Sequence, residues 1–388
     1  MTARKCSLLL IILPILVLFN TSNTQAQVAI TAVPFLQINN DARSIGMAGA
    51  NVAMRNSRAG MHLNPATFGR KNTLQFTTQI NATSSEKLFG TDWLPGFNVS
   101  ELQLYTPQFI MGFEKLSVGY QYTYLNLGLQ AHVSEEMIFI ENFNSYERAH
   151  TISASYNINQ HISVGVGMNA IKSNLASGVT IGGQQISWAS RISWDMGFYA
   201  DYPFQKEPFN ITPSFGWSLT DVGNPITYTT PENADALPIM MRGGLGLKIS
   251  YPDKKNGFDV FSLGGYISRD KIMARWKEDG SAMGPLEAIF KSWDYFERFN
   301  GMETISLSLK DQLLKHKGVE FTMLDMFSFR VGRFYEHPEN GARKYNTIGF
   351  GIHYKYFSMD YAEMNTDERD HPLDKTKFVE FTVNVPLD

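Results

Sequence analysis

Cysteine is nearly absent. The 388-residue chain has one, Cys6, and it precedes the apolar run 8–19. That position is wrong for a lipoprotein anchor, and once a leader is removed no disulfide or thiolate chemistry remains. Charge of one sign is absent too: 34 basic against 37 acidic residues give a net charge of −3. Without a basic excess the chain has no electrostatic footprint for nucleic acid. Long apolar runs are also missing. Beyond the first 26 residues none approaches the ~20 residues of a transmembrane helix. The eight histidines include no pair at i, i+4, and there is no G-x-S-x-G elbow or Walker loop. Gly244-Leu245-Gly246 lacks the third glycine of a dinucleotide fingerprint. The sequence therefore predicts no enzyme, no cofactor and no metal site.

What is present begins with an export signal. Arg4 and Lys5 precede the apolar run, and Thr24-Gln25-Ala26 supplies small residues for cleavage. This predicts a signal peptide over 1–26. Export without a membrane helix or disulfides leaves a soluble envelope protein or an outer-membrane β-barrel.

From Leu74 the hydrophobic period is two. Leu74, Phe76, Thr78 and Ile80 alternate with Gln75, Thr77 and Gln79, and the pattern recurs about fourteen times, ending at Val379, Phe381, Val383 and Val385. Strict alternation is the mark of strands with one apolar and one polar face. Connections alternate as well. Tight ones fall at 114–115, 159–160, 205–208, 252–256, 325–326 and Tyr356. Long ones fall at 84–99, 130–146, 175–189, 223–237, 271–312, 337–343 and 365–374. Short periplasmic turns opposite long extracellular loops are characteristic of outer-membrane barrels. Closure gives every backbone N–H and C=O a partner in lipid. The prediction is an all-β, transmembrane antiparallel β-barrel of about 14 strands over 71–388. Its apolar face meets outer-membrane lipid, and tyrosines 105, 124, 156, 202, 251, 335 and 356 lie near strand ends as interface girdles. Pro213 is tolerable only near a strand start. Arg242 and Arg330 fall on polar faces and so point into the lumen.

Residues 27–70 do not alternate. They carry Asp41-Ala42-Arg43, then Gly46-Met47-Ala48-Gly49-Ala50, then Asn64-Pro65-Ala66. Gly and Ala at this density allow close backbone packing, and Pro65 biases Asn64 away from helix. We read the segment as a plug entering the lumen from the periplasmic side, with Asp41, Arg43, Gly46, Gly49, Asn64 and Pro65 as its characteristic residues. Loop 271–312 is the longest insertion. An amphipathic helix is expected over 285–299, with helical spacing again at Ile305, Leu309 and Leu313. Trp276, Trp293, Tyr295 and Phe299 are candidate partner contacts, because aromatics concentrate at interface hot spots; the alternative is a private core in the barrel mouth.

The three plug motifs, set between a signal peptide and the first strand, resemble the PorV/PorQ family of Bacteroidota outer-membrane proteins. Further blocks fit: 163–175 (SVGVGMNAIKSNL), 217–228 (WSLTDVGNPITY), 318–345 with its Arg-x-Gly-x-Phe-x-Glu and Gly-x-Arg-Lys-Tyr pieces, and Pro372-Leu373. The family is similar in turn to FadL-type fatty acid transporters, which also carry Asn-Pro-Ala in an N-terminal plug. The resemblance implies a 14-stranded plugged barrel. It also implies a part in type IX secretion, binding cargo C-terminal signal domains and translocon components through extracellular loops. A FadL-like channel for long-chain fatty acids or another hydrophobic solute is the alternative, and a lipid A-modifying enzyme a third. An occluded lumen and an exposed apolar mouth would favour docking; a greasy internal cavity with a lateral or plug opening would favour transport.

Overall fold

The computed structural model describes residues 31–69, 71–80, 103–133, 139–181, 184–277, 279–294, 296–299, 304–367 and 374–387. The expected signal peptide, loop 84–99, Tyr295 and Pro372-Leu373 lie outside them.

Fourteen long strands close into one antiparallel barrel. In chain order they are β1 (Thr73–Ile80), β2 (Gln108–Gly112), β3 (Leu116–Val133), β4 (Phe139–Asn157), β5 (Ile162–Asn174), β6 (Ala189–Asp201) and β7 (Phe209–Val222). They continue as β8 (Met240–Asp253), β9 (Phe258–Ile272), β10 (Leu314–Met323), β11 (Phe327–Tyr335), β12 (Lys344–Tyr354), β13 (Phe357–Thr366) and β14 (Lys377–Pro386). Each pairs with the next, and β14 returns to β1 from Thr73↔Pro386 to Ile80↔Val379.

The alternation read from the sequence sorts the residues. Outward side chains such as Val166, Ile192, Trp194, Leu245, Phe329 and Val331 are exposed and apolar. Their inward neighbours Ser163, Asn169, Ser193, Arg242 and Arg330 are buried and polar. In water this would be inverted. In a bilayer it places apolar surface against acyl chains and polar surface in the lumen. The chain is a β-barrel of the bacterial outer membrane. Among the described residues no helix is long and apolar enough to cross a membrane.

Several expectations change. Residues 130–133 and 139–146 are strand, not loop. β3 and β4 run on as a ladder to Val133↔Phe139, with a bulge at Asn126/Gly128 where Asn126 Oδ1 accepts from Gly128 N at 3.1 Å. Strands of 18 and 19 residues exceed the ~9–11 that span a membrane, so this hairpin stands above the lipid. Its apolar alternation stops because no acyl chain faces it there, while the backbone ladder continues. Two short helices lie in 31–69, α1 (Ala42–Gly46) and α2 (Gly60–Leu63). Among its described residues loop 271–312 holds one helix, α3 (Pro285–Lys291), followed by a hairpin of Phe296–Phe299 with Thr304–Leu307. The helix stops where the Ser292 hydroxyl donates to the carbonyls of Ala288 and Met273. Ile305 is therefore in a strand. Pro213 is the fifth residue of β7. It sits where the regular ladder to the neighbouring chain is interrupted, between Asp201 and Phe204, and its carbonyl still accepts from Tyr202 N at 3.0 Å.

Candidate functional site

The lumen is filled from mouth to floor by residues 31–69. The chain starts at the outer end, where Ala32 N donates to Ala236 O of loop 223–239 at 3.0 Å. It descends to Gly69, beside Ser117 and Ser155 near the periplasmic ends of β3 and β4. Residues 31–69 thus span the pore, and the segment arrives at β1 from within.

The inner wall has two storeys. On β3, inward positions read Ser117, Gln121 and Thr123 low down, then Leu125 and Leu127 above. On β5 they read Ser163, Asn169, then Ile171; on β14, rising from the periplasm, Thr382, Glu380, then Phe378. The upper storey is a mainly apolar chamber formed by Leu104, Leu125, Leu127, Ile171 and Phe378, with Glu147 and Ser173, bonded to each other, buried in the same inward rows. Val33, Phe35 and Leu36 of the plug occupy it, and Ile226 and Leu237 of loop 223–239 cap it. The occupying segment is a single 3-10 turn, Pro34–Gln37, preceded by Val33 at φ 46°, a left-handed conformation that a β-branched residue rarely adopts.

The lower storey is ionic. Asp41 caps helix α1 (Ala42–Gly46): its Oδ1 accepts from Arg43 N at 2.8 Å and Ser44 N at 3.2 Å, while Oδ2 accepts from Ala59 N at 2.7 Å. Arg43 donates two bonds to Glu320, at 2.8 and 2.7 Å. Glu320 also accepts from Arg330 Nε at 2.7 Å, and Arg330 Nη1 donates to Asp360 at 2.6 Å. Asp360 in turn accepts from Arg58, which also pairs with Glu380 at 2.7 Å. Plug residues Asp41, Arg43 and Arg58 are thus joined to wall residues Glu320, Arg330, Asp360 and Glu380 in one buried chain. Charge-assisted bonds in a water-poor lumen are strong, and none of these partners is dispensable once its mate is buried. Arg242, by contrast, serves the wall, donating to Thr220 Oγ1 at 2.8 Å and lying 3.3 Å from Asp270.

The remaining plug residues predicted from sequence all face the wall. Gly46 O accepts from Thr347 Oγ1 at 2.9 Å. Gly49 adopts φ 77° beside His316, whose Nδ1 lies 2.6 Å from Ala48 O. Asn64 Nδ2 donates to Val52 O and Phe198 O, both at 3.0 Å, and the carbonyl of Ala66 accepts from Ser155 and Ser163. Pro65 presses its backbone against Gly165. That contact exposes what sequence reasoning missed: a set of wall glycines. At Gly165, Gly197, Gly216 and Gly332 an added Cβ would fall 2.1–2.4 Å from plug atoms. The signal was available, because a glycine at a lumen-facing strand position marks close approach by other backbone.

Between the storeys lies a cavity of about 20 Å³, lined by Phe35, Leu36, Asn40, His62, Asn169, Asp195 and Asp221. It is roomy enough for about one water. At the periplasmic rim an open depression of about 610 Å³ is lined by Thr73, Lys355, Tyr356, Asn384 and Pro386. Among the described residues no cluster of His, Cys, Asp or Glu is arranged to hold a metal ion.

Trp276 forms an isolated bridge with Ala282. Trp293 is half-exposed beyond α3. Phe299 lies in the loop hairpin. Loop 273–313 is clamped by Gln312, whose Oε1 accepts from Lys271 Nζ at 2.5 Å and Arg275 Nη2 at 2.6 Å, while its Nε2 donates to Leu307 O and Asp294 O. Gln312→Ala takes a shared acceptor from the buried Lys271 and from the half-buried Arg275, which keeps its bonds to Ala274 O and Ser292 O, at a cost of about 1–3 kcal/mol for Lys271. Limited proteolysis of the folded barrel should then cut within 273–313 at a protease dose that leaves the wild type intact.

No family model and no curated protein matches the chain. Among solved structures it is similar to the Ralstonia pickettii toluene transporter TbuX, at 14% identity and a TM-score of 0.42, covering 89% of this chain and 96% of that one. It is similar to a Pseudomonas aeruginosa FadL homologue at 12% identity and TM-score 0.39, covering 89% and 97%. It is similar also to the P. putida toluene transporter TodX at 10% identity and TM-score 0.41, covering 88% and 95%. These likenesses are remote in sequence and in superposition.

Proposed function

We propose that this outer-membrane barrel is a non-enzymatic carrier of a hydrophobic solute, with the apolar upper chamber as its binding site and the segment 33–38 as its resting occupant. The observation that carries this reading is the apolar inner wall at Leu104, Leu125, Leu127, Ile171 and Phe378. A lumen built only to hold a plug has no need to change from polar to apolar halfway up. The occupant is also the least anchored part of the plug. Gln37 Nε2 bonds within the plug, to Thr31 Oγ1 at 3.2 Å, whereas the ionic storey below holds the rest. A greasy solute entering past loop 223–239 replaces one set of apolar contacts with another, so displacement of Phe35 and Leu36 is inexpensive.

The PorV/PorQ resemblance implies a different role, docking of type IX cargo domains and translocon components. That reading rests on sequence blocks, and among the described residues no feature of the lumen or loops favours it. Unchanged secretion of proteins with C-terminal sorting domains after deletion of the gene would remove it.

The test of the solute reading is saturable binding of a nitroxide-labelled long-chain fatty acid to protein in nanodiscs. Ile171→Asp places a carboxylate in the chamber and should weaken binding at least about tenfold, since a tenfold change needs only ~1.4 kcal/mol. Phe35→Ala removes the occupant's ring and should tighten it, because less displacement precedes binding. Retention of heat-modifiable migration checks that each variant is folded. Absence of saturable binding in both the wild type and Phe35→Ala would sink the reading.

A further inference from the structure

Part of loop 273–313 lies outside the barrel. Its position follows from strand register. Ser218, Arg242 and Asp270 lie side by side across β7, β8 and β9 and face the lumen, where Ser218 donates to Leu63 O of the plug. The adjoining row, Leu219, Met241 and Lys271, must therefore face outward. Yet Leu219 is buried, and so is Lys271, which is only 2% exposed. What covers this outer wall is the loop. Ile289 of α3 packs with Leu219, Met241 and Trp217, and Gln312 accepts from Lys271. The loop folds over the rim and lies on the outside of the barrel.

There α3 presents three flanks. Ala288 and Ile289 turn to the wall. Glu287 and Lys291, paired at 2.9 Å, occupy a charged flank. Leu286 and Phe290, one turn apart, share a third flank. Phe290 is 77% exposed and Leu286 69%. Below them on β7 and β8 the outward positions Phe215, Leu245 and Leu247 continue the lipid-facing belt. An apolar flank facing that belt and a charged flank beside it, about 100° round the helix, are the two sides an interfacial helix presents.

We infer that α3 is a membrane anchor: Leu286 and Phe290 insert among the acyl chains of the outer leaflet, while Glu287 and Lys291 stay at the headgroups. The anchor holds the loop rim of β7–β9 at a fixed depth beside loop 223–239, the cap of the apolar chamber. It stands whether or not that chamber binds a solute.

The test is site-directed spin labelling in lipid nanodiscs. Once the expected leader containing Cys6 is gone, single cysteines at Phe290→Cys, Leu286→Cys and Glu287→Cys carry the only labels. Oxygen, which partitions into acyl chains, should relax the labels at 290 and 286 several-fold more strongly, relative to a water-soluble nickel chelate, than the label at 287. Heat-modifiable migration confirms a folded barrel for each. Equal nickel accessibility at 286, 287 and 290 would overturn the inference and leave the flank as a protein-docking surface. Protection of 290 from nickel without oxygen accessibility would overturn it as well, because the flank would then be buried in protein.

Discussion

Arg330→Ala is expected to destabilise the barrel by about 3–5 kcal/mol, the cost of leaving buried charges without their partner. Arg330 is wholly buried and bridges Glu320 and Asp360. Removing it strips a cation from a network of three guanidinium groups and four carboxylates, already acid-rich by one. Arg43 and Arg58 must then neutralise all four carboxylates from the plug side. The temperature at which the folded form loses its heat-modifiable migration should fall clearly. Trypsin should also reach Arg43 and Arg58, which are shielded in the lumen. Arg330→Lys keeps the charge but not the fork that serves two carboxylates, so an intermediate loss is expected. Combining Arg330→Ala with Asp360→Asn should cost less than the sum of the two, since they act on one network. A wild-type melting temperature for Arg330→Ala would mean that the ionic storey does not hold the plug.

The double change Gly165→Ala and Gly216→Ala should act on conductance instead. A Cβ at Gly165 would fall 2.2 Å from the carbonyl atoms of Pro65, and one at Gly216 2.1 Å from Val52 O. Real contacts of this kind need more than 3 Å, so the plug backbone must leave the wall on two sides. It would then lose the bonds of Asn64 to Phe198 O and of Ala66 O to Ser163. The wall itself suffers little, because Ala is as good as Gly in a strand or better. The expected result is a folded barrel that passes ions in a planar bilayer, where the wild type is closed. Gly243→Ala and Gly265→Ala are the controls: nothing lies within 4 Å of an added Cβ at either position, and both should stay closed. A closed Gly165→Ala, Gly216→Ala barrel would show that the plug can yield without opening a path.

The barrel was legible in the sequence because its causes are local. Lipid outside and a polar lumen inside impose a period of two on each strand, as at Leu74 to Ile80, and the two membrane faces impose turns of unequal length. The plug was legible by contrast, as the stretch 33–66 that breaks the period. The upper end of the β3–β4 hairpin was not. Beyond the bilayer the ladder at Ala131 to Val133 and Phe139 to Glu141 is held by backbone bonds that leave no hydrophobic pattern. The length of α3 was hidden because Ser292 ends it by bonding Met273 O, nineteen residues away in sequence.

By itself, then, the sequence determined the fold class, which residues face lipid and which segment fills the pore. These follow from the period of the chain and the contrast between acyl chains and water. Only the tertiary structure decided that Arg43, Glu320, Arg330, Asp360 and Arg58 form one chain of charges. It alone placed Phe35 in an apolar chamber, Pro65 against Gly165, and α3 on the outer wall. Each of those pairings joins residues far apart in sequence, some of them separated by about three hundred positions. Barrel closure and strand stagger bring them together, and no local pattern of residue types encodes that geometry.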